Sequence, residues 1–373
     1  MLKLLPEHYR PAEDYGKGSY GSQSALAARH RLAAKIARDE GLTLLDSWPM
    51  PIIGVDCVVM AVPQDQSVEA VAERLSHIAG VAWSQPTHRY QARGHPSSRD
   101  DPLLKAQPAE NEWQLTSLHR KSTGEGVRIA VVDSRIDRDH PDLRGQIAIF
   151  EDFAHRGSAA PESHGTEVAG IIAAHSDNGI GIAGVAPGAR LFGLRACWER
   201  KNLSPKTVCD SLSLAQALTF AIEHHAQIVN MSLTGPQDRL LLQLLGAGIA
   251  QGVVFVAAYD SNAADGGFPA SVPGVVAVSA EGLARPRADV YLAPGEDVPT
   301  TEPGGRWYLV SGNSYSAAHV SGLIALMRQM RPSAHPITLL TNASGAIDAC
   351  GSLQRLAPGD ADRICTRART AAR

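Results

Sequence analysis

The sequence predicts an α/β protein, with a three-layer parallel sheet that carries helices on both faces, preceded by a small α+β domain. Short, almost continuous apolar segments, typical of parallel strands buried on both faces, occur at Val127–Val132, Arg190–Leu194, Ile228–Met231, Val253–Ala257 and Val275–Ser279. Helical patterns alternate with these strands, at Thr166–Ala174, Leu212–His225, Arg239–Ala250 and Ser316–Gln329. This alternation indicates repeated strand–helix units around one parallel sheet.

A separate α+β domain is predicted over residues 25–91, after an irregular extension over residues 1–24. Ala25–Glu40 is predicted to be a helix because Ala, Arg and Leu dominate it and Gly41 follows as a stop signal. The segments after it read strand, strand, helix and strand, at Thr43–Ser47, Val55–Val62, Ser67–Ile78 and Val81–Ser84. This order is typical of a small α+β sandwich.

The rest of the chain divides by composition. Residues 92–112 are rich in Gly, Pro, Ser and Asp and are predicted to be a linker. Residues 113–331 hold the strand–helix pattern, and residues 332–373 are predicted to be a tail. The formal net charge of −3 gives no reason to expect a nucleic acid partner. No apolar run reaches the roughly 18 residues of a membrane span, so no membrane partner is expected.

The five cysteines favour two local disulfides, Cys197–Cys209 and Cys350–Cys365, and leave Cys57 by itself in the N-terminal region. Disulfides favour an oxidising compartment, so we expect a secreted or periplasmic protein. The apolar stretch at the N-terminus is shorter than the roughly 7–15 residues of a signal peptide. The alternative is a cytoplasmic protein with five thiols.

No metal or cofactor site is indicated. The cysteines and histidines do not cluster at the spacings of a zinc site. No loop rich in Asp and Asn identifies a calcium site, and Asp177-Asn178-Gly179 is interpreted as a turn. We therefore expect no cofactor, with calcium left undecided.

Three segments each contain one residue of a potential nucleophilic triad. They are Val131-Val132-Asp133-Ser134, the segment His164–Gly170, and the segment Gly312–Gly322. Taken alone, an Asp after a strand indicates a turn and a Ser before a helix indicates a cap. Together they place Asp133, His164 and Ser314 in one chain, each beside a predicted strand or helix end.

These segments resemble those of the subtilisin-like serine proteases, and the resemblance extends over about residues 113–330. It implies a peptide or protein substrate, cleaved by an endopeptidase through an acyl-enzyme. Ser314 would be the nucleophile, and His164 would take its proton and return it to the leaving amine. Asp133 would orient His164 and stabilise its cation.

Two further parts of the chain resemble this family. The segment around Val229–Leu233 resembles the strand that pairs with substrate, which implies that Ser232, Leu233, Thr234 and Gly235 bind substrate by strand addition. The domain at 25–91 resembles the family's propeptide. That resemblance implies a zymogen whose own N-terminal domain is an intramolecular inhibitor, with self-cleavage between about Gln91 and Pro102. The alternative is a plain accessory domain.

The sequence departs from the family pattern near each reactive residue. Arg135 stands where the family has Gly, Asn313 where it has Thr, and Ala318 where it has Pro. A further departure concerns the Asn that donates to the oxyanion.

Counting from Gly252 without a gap puts Ser261 at the position of that Asn. One-residue shifts give Asn262 or Asp260, and Asn313 is another candidate donor. Loss of one donor lowers turnover by about 10²–10³. The alternative function is therefore a catalytically impaired, peptide-binding protein with the subtilase fold. An α/β-hydrolase is disfavoured because Ser314 lies outside any G-x-S-x-G segment.

Overall fold

The computed structural model describes residues 2–3, 20–92, 95–97, 104–155, 160–200, 207–281, 289–332, 339–356 and 365. They belong to two compact units, residues 1–87 and 88–373. The sequence placed the end of the first domain at residue 91, but residues 89–92 pair with strands of the second unit. Much of the predicted extension, linker and tail lies outside the described residues.

The first unit contains an antiparallel sheet with strand order β1–β3–β2 and two helices. Its elements are β1 (Leu2–Lys3), α1 (Tyr20–Asp39), β2 (Thr43–Met50), β3 (Val55–Ala61) and α2 (Val68–Ser76). Ser67 caps α2 by accepting a hydrogen bond from the N–H of Ala70. Apolar residues of both helices, including Ile36 and Val71, form the core of this unit.

One predicted strand of the first unit is wrong. Of Val81–Ser84, only Val81 makes an isolated bridge. The hydroxyl of Ser76 accepts from the N–H of Ser84 at 2.8 Å and donates to its carbonyl at 3.2 Å. The backbone of Ser84 is thus tied to helix α2 rather than to a sheet partner.

The second unit is built on a seven-stranded parallel sheet with order β15-β14-β13-β11-β6-β8-β7. The strands of this unit are β4 (Arg89–Ala92), β5 (His95–Ser97), β6 (Arg128–Asp133), β7 (Ile147–Asp152), β8 (Arg190–Arg195), β9 (Cys197–Glu199), β10 (Thr207–Asp210), β11 (Ile228–Met231), β12 (Leu233–Thr234), β13 (Val254–Ala258), β14 (Val276–Ala280), β15 (Tyr291–Ala293), β16 (Val298–Glu302) and β17 (Arg306–Ser311). The helices are α3 (Pro108–Trp113), α4 (Leu115–His119), α5 (Ser163–Ala173), α6 (Ser211–Glu223), α7 (Arg239–Ala250), α8 (Asn313–Met330) and α9 (Ala349–Leu356).

Helices cover both faces of this sheet. Successive residues of a strand point to opposite faces, so neighbouring residues of one strand contact different helices. Val254 and Val256 pack in one core cluster with residues of α5 and α8. Phe255, between them, lies against Gly248 of α7, where a Cβ would come within 2.6 Å of its ring. The three-layer α/β fold predicted from the apolar strands is confirmed.

Two smaller antiparallel sheets flank the main sheet. One has the order β12-β4-β10-β9, so β4 lies between two strands from distant parts of the chain. The other has the order β16-β17-β5. Strand β5 comes from the segment that the sequence predicted to be a linker, and β4 comes from the end of the predicted N-terminal domain.

Both predicted disulfides are present, Cys197–Cys209 and Cys350–Cys365. The first joins residues that face each other across β9 and β10. Cys57 is buried and lies outside both disulfides. Within the described ranges, no helix is long and apolar enough to cross a bilayer.

Candidate active site

The predicted reactive residues lie at the carboxyl edge of the main sheet, where ligands of open parallel sheets bind. Strands β13, β11 and β6 are neighbours in that sheet. Asp133 is the last residue of β6, Ser232 follows β11, and Asp260 lies two residues beyond β13. Three adjacent strands therefore deliver polar side chains to one edge.

His164 lies in the first turn of α5 and is oriented by Asp133. Its Nδ1 lies 2.8 Å and 2.9 Å from the two carboxylate oxygens of Asp133. Burial lowers the pKa of His164, but the charge and hydrogen bond of Asp133 outweigh this effect and raise the pKa overall. The contact between His164 and Asp133 requires a glycine at position 165, because a Cβ there would lie 2.3 Å from the carbonyl oxygen of Ser134.

Ser314 lies in the first turn of α8 and is fully buried. Gly312, which precedes the helix, has a φ of 148°, a conformation that favours glycine. The Ser314 hydroxyl donates to the carbonyl of Ser232 at 3.1 Å, and the Ser232 hydroxyl donates to the carbonyl of Ser314 at 2.8 Å. His164 Nε2 has no hydrogen-bond partner among the described residues. The structure thus brings the Asp and His into contact and leaves the serine hydroxyl turned to Ser232.

Comparison with known proteins identifies the family of this chain. Residues 124–346 match the model of the subtilase family, which covers more than half of the chain. The chain belongs to the subtilase family. Relatives of this subtilase include a subtilisin of Bacillus pumilus, 33% identical over 60% of this chain and 84% of the relative. Another is an intracellular serine protease of Paenibacillus polymyxa, 32% identical over 58% of this chain and 71% of the relative.

A solved structure has the same fold. Fervidolysin from Fervidobacterium pennivorans, described as a keratinolytic enzyme related to subtilisin, matches with a TM-score of 0.71 and 23% identity. The match covers 87% of this chain and 59% of the fervidolysin chain. The fold and the membership of the subtilisin-like serine proteases are therefore those expected from the three segments.

The predicted substrate strand of the subtilase is paired with the chain itself. Leu233 faces Ala92 and Thr234 faces Gln91, across β12 and β4. Gly235 makes a bridge to Phe268. On its other edge β4 pairs with β10, a strand that the sequence did not predict. Its β-branched Thr207 and Val208, directly before a helix, were the only local signal.

The four candidate oxyanion donors are placed differently from one another. Ser261 and Asn262 are exposed in a turn, and Asn262 donates from its N–H and its side-chain amide to Oδ1 of Asp260. Asn313 donates from its amide to the carbonyl of Tyr259 at 2.7 Å and accepts from the N–H of Ala280 at 2.8 Å. The amides of Asn262 and Asn313 are thus engaged within the protein.

The residue before Asp260 contacts the serine segment. The carbonyl of Tyr259 accepts from the amide of Asn313, the residue before Ser314. The carboxylate of Asp260 itself accepts from the N–H and the side-chain amide of Asn262. A Cβ placed on Gly267 would lie 3.0 Å from the Cβ of Asp260 and 2.5 Å from the hydroxyl of Thr234 in β12.

The side chain of Arg135 has its own ionic partner. Its guanidinium pairs with Asp152 and lies over the ring of Phe150, 5.2 Å from the ring centre. Its N–H donates to Glu162, the residue before α5. Arg135, which stands where the family has Gly, thus forms an ion pair with Asp152 of strand β7.

Sequence reasoning missed a buried charge network at the start of α5. The guanidinium of Arg195 contacts the carboxylates of Glu162 and Asp152. Glu199 accepts hydrogen bonds from the N–H groups of Ser163 and His164. These N–H groups lie in the first turn of α5, where they have no acceptor within the helix. Glu199 supplies that acceptor and so fixes the backbone of His164.

The described part of the chain contains no group of three or more His, Cys, Asp or Glu residues that could hold a metal ion. Asp177, interpreted as part of a turn, has a φ of 57°. The nearby carboxylate of Asp142 accepts from Asn178, from the N–H of Ile182 and from Trp307. Its two oxygens hold the 178–182 loop through N–H donors.

Proposed function

We propose that this subtilase is a serine endopeptidase that cleaves peptide bonds through Ser314, His164 and Asp133. The observation that carries the proposal is the contact between the Asp133 carboxylate and His164 Nδ1, beside a serine at a helix N-terminus. This contact fixes which ring nitrogen holds a proton and leaves Nε2 as the base. Peptides or proteins are the substrates.

The mechanism begins with a rotation of the Ser314 hydroxyl from the Ser232 carbonyl to His164 Nε2. His164 takes the hydroxyl proton while Oγ attacks the substrate carbonyl, and later gives that proton to the leaving amine. Asp133 stabilises the imidazolium formed in between. The N-terminal turn of α8 supplies backbone N–H donors and the positive end of a helix dipole to the oxyanion.

We also propose that the chain is made as a zymogen, and the pairing of β4 supports this. Arg89–Ala92 lies between β10 and β12, as a bound substrate strand would. His95–Ser97 pairs with β17, the strand that ends at Ser311 before the serine segment. The bond cleaved in self-processing then lies between Ala92 and His95. The N-terminal domain would remain as an inhibitor until it is released.

The two disulfides are consistent with a secreted or periplasmic enzyme. The relatives include both subtilisins and an intracellular protease, so the family alone leaves the compartment undecided. We propose export. Detection of the protein and its two disulfides in the extracellular or periplasmic fraction tests this location.

A second candidate function is a peptide-binding subtilase that does not cleave. The amides of Asn262 and Asn313 are engaged within the protein, and Ser314 donates to Ser232 instead of to His164. A protein of this kind would keep its own β4 strand in the cleft.

Labelling with a fluorophosphonate probe distinguishes the two functions. We expect the purified protein to be labelled, and labelling to be lost in Ser314→Ala. The matched control is Ser316→Ala, which removes the hydroxyl that donates to the carbonyl of Ala293 in the same helix. Folded protein that is never labelled at any pH would exclude the enzyme.

Intact-mass measurement after expression tests self-processing. We expect the wild type to release a fragment that ends between residues 92 and 95, and Ser314→Ala to stay at full length. A wild type that stays intact while it is labelled by the probe would reject the zymogen and leave the enzyme standing.

A further inference from the structure

A buried tyrosine–carboxyl contact lies beside the reactive pair. Tyr315, the residue after Ser314, is fully buried and donates its hydroxyl to Glu167 Oε2 at 2.6 Å. Glu167 is 2% exposed and lies one turn after His164 on α5. The rings of Tyr315 and His164 have centres 5.9 Å apart. This contact therefore links α8, next to the nucleophile, with α5, next to the base.

A second contact continues from Glu167 to the other side of His164. Ser163, the residue before His164, donates its hydroxyl to Glu302 Oε1 at 2.8 Å. Strand β16, which ends at Glu302, lies against α5, because the hydroxyl of Thr300 donates to the carbonyl of Glu167 at 2.6 Å. The chain of contacts thus joins the sequence neighbours of both reactive residues through two carboxyls.

The two carboxyls require a shared proton. Glu167 Oε1 and Glu302 Oε2 are buried and accept from no N–H or O–H donor of the residues that the structure describes. Burial, followed by the charge and hydrogen bond of Glu302, raises the pKa of Glu167 to about 8, although His164 and Tyr315 act in the opposite direction. A proton between the carboxyls satisfies both oxygens and removes the repulsion of two buried like charges.

We propose that Glu167 and Tyr315 are positioning residues that, through Glu302 and Ser163, hold the catalytic serine and histidine at reacting distance. The inference rests on the proposed serine endopeptidase function. Neither side chain needs to touch the substrate, because the rate of an oriented reaction falls steeply when the reacting groups shift by about 1 Å. Their effect is therefore expected in kcat rather than in KM.

The shared proton makes the positioning sensitive to alkaline pH. The titratable groups that face Glu167 are His164 on α5, Tyr315 on α8 and Glu302 on β16. Asp133 and Glu199 add their charges at His164. As the pH rises through about 8, Glu167 loses its proton, and the two carboxylates repel each other. The rate of the wild type should then fall.

The experiment measures kcat and KM on a peptide substrate, and the unfolding temperature, for processed wild type and three variants. Tyr315→Phe and Glu167→Leu each remove the hydrogen bond between the helices and should lower kcat about tenfold with KM little changed. Glu167→Gln, whose amide can accept from Tyr315 and donate to Glu302, should recover most of that loss at neutral pH. Tyr291→Phe, on the edge strand β15, is the matched control and should match the wild type.

The pH profile separates positioning from plain stability. We expect the alkaline fall in kcat to be present in the wild type and absent in Glu167→Gln. Tyr315→Phe with the kcat of the wild type, or an alkaline fall that persists in Glu167→Gln, would overturn the inference. Both measurements, on Tyr315→Phe and on Glu167→Gln, can be made even if the Glu167→Leu variant does not fold. A wild type that the fluorophosphonate probe never labels would reject the proposed function and this inference together.

Discussion

Asp260 is one of the residues that the sequence offers at the oxyanion position, and it carries a carboxyl instead of an amide. Tyr259, the residue before it, contacts Asn313 of the serine segment, and the amides of Asn262 and Asn313 are engaged by Asp260 and by the backbone. An ionised carboxylate repels the oxyanion that an amide would stabilise. The enzyme would then rely on backbone N–H groups at the start of α8.

Replacing Asp260 by Asn should therefore increase kcat. We expect a gain of about 10²-fold, the contribution of one side-chain donor to an oxyanion. The measurement is kcat on a peptide substrate at neutral pH. Asp265→Asn, an exposed Asp of the same loop, is the matched control and should leave kcat unchanged.

The opposite result is also informative. If Asp260→Asn lowers the rate, the carboxyl of Asp260 itself contributes to turnover. That outcome would contradict the expected gain.

At the scale of elements, helix α8 carries a buried histidine besides Ser314. His319 is 1% exposed, packs edge-on against Trp113 and donates from Nδ1 to the carbonyl of Tyr315. Burial lowers the pKa of His319 from 6.5 to about 4. The folded protein therefore holds this imidazole neutral.

This lowered pKa predicts acid destabilisation. Between pH 6.5 and about 4 the unfolded chain binds the His319 proton and the folded chain does not, so stability falls as the pH falls. The full loss is about 3 kcal/mol below that range. His319→Gln should flatten the slope of the urea midpoint against pH, measured in Ser314→Ala to avoid self-digestion. An unchanged slope would contradict the prediction.

The disulfide between β9 and β10 supports the strand that pairs with β4. Cys197 and Cys209 face each other, and β10 pairs with β4 on its other edge. A disulfide that closes a loop of this size stabilises the protein by about 3 kcal/mol. Its loss should loosen the substrate edge while the triad elements stay in place.

Replacing Cys197 and Cys209 by Ser should therefore raise KM for an extended peptide more than it lowers kcat. The matched control replaces Cys350 and Cys365, which join the start of α9 to the segment that follows it, and should lower the unfolding temperature without a change in KM. Equal KM values for the two double variants would contradict this role of the first disulfide.

At the scale of the whole molecule, the chain supplies its own substrate-like strand. Strand β4 lies between β10 and β12, and both pairings are antiparallel. Backbone hydrogen bonds of this kind are sequence-tolerant and give affinity to an added strand. The N-terminal segment should therefore compete with substrate.

A fragment of residues 1–92 added to the processed enzyme should raise the apparent KM and leave kcat unchanged. A fragment of residues 1–88, which lacks β4, is the control and should inhibit less. The measurement is the initial rate at several fragment and substrate concentrations. Equal inhibition by both fragments would show that β4 is not the inhibitory element.

The buried elements of the sheet were predictable from local patterns. Ile228–Met231 and Arg239–Ala250 have the predicted bounds, because continuous apolar strands and apolar helical faces reflect burial directly. Strand β7, at the edge of the main sheet, has half-buried residues and no such pattern. Strand β10 was missed although it is buried, because it has only four residues and its partner β4 comes from a distant part of the chain.

The sequence by itself determined the fold class, the disulfide pairing and the three segments that carry Asp133, His164 and Ser314, because each depends on residues that are neighbours in the chain. Only the tertiary structure decided that Tyr259 contacts Asn313 of the serine segment while Ser261 and Asn262 are exposed. It alone joined Tyr315 to Glu167, 148 positions apart in the chain. Such contacts form when strand ends and helix ends meet at one edge of the sheet, and no local pattern encodes that meeting.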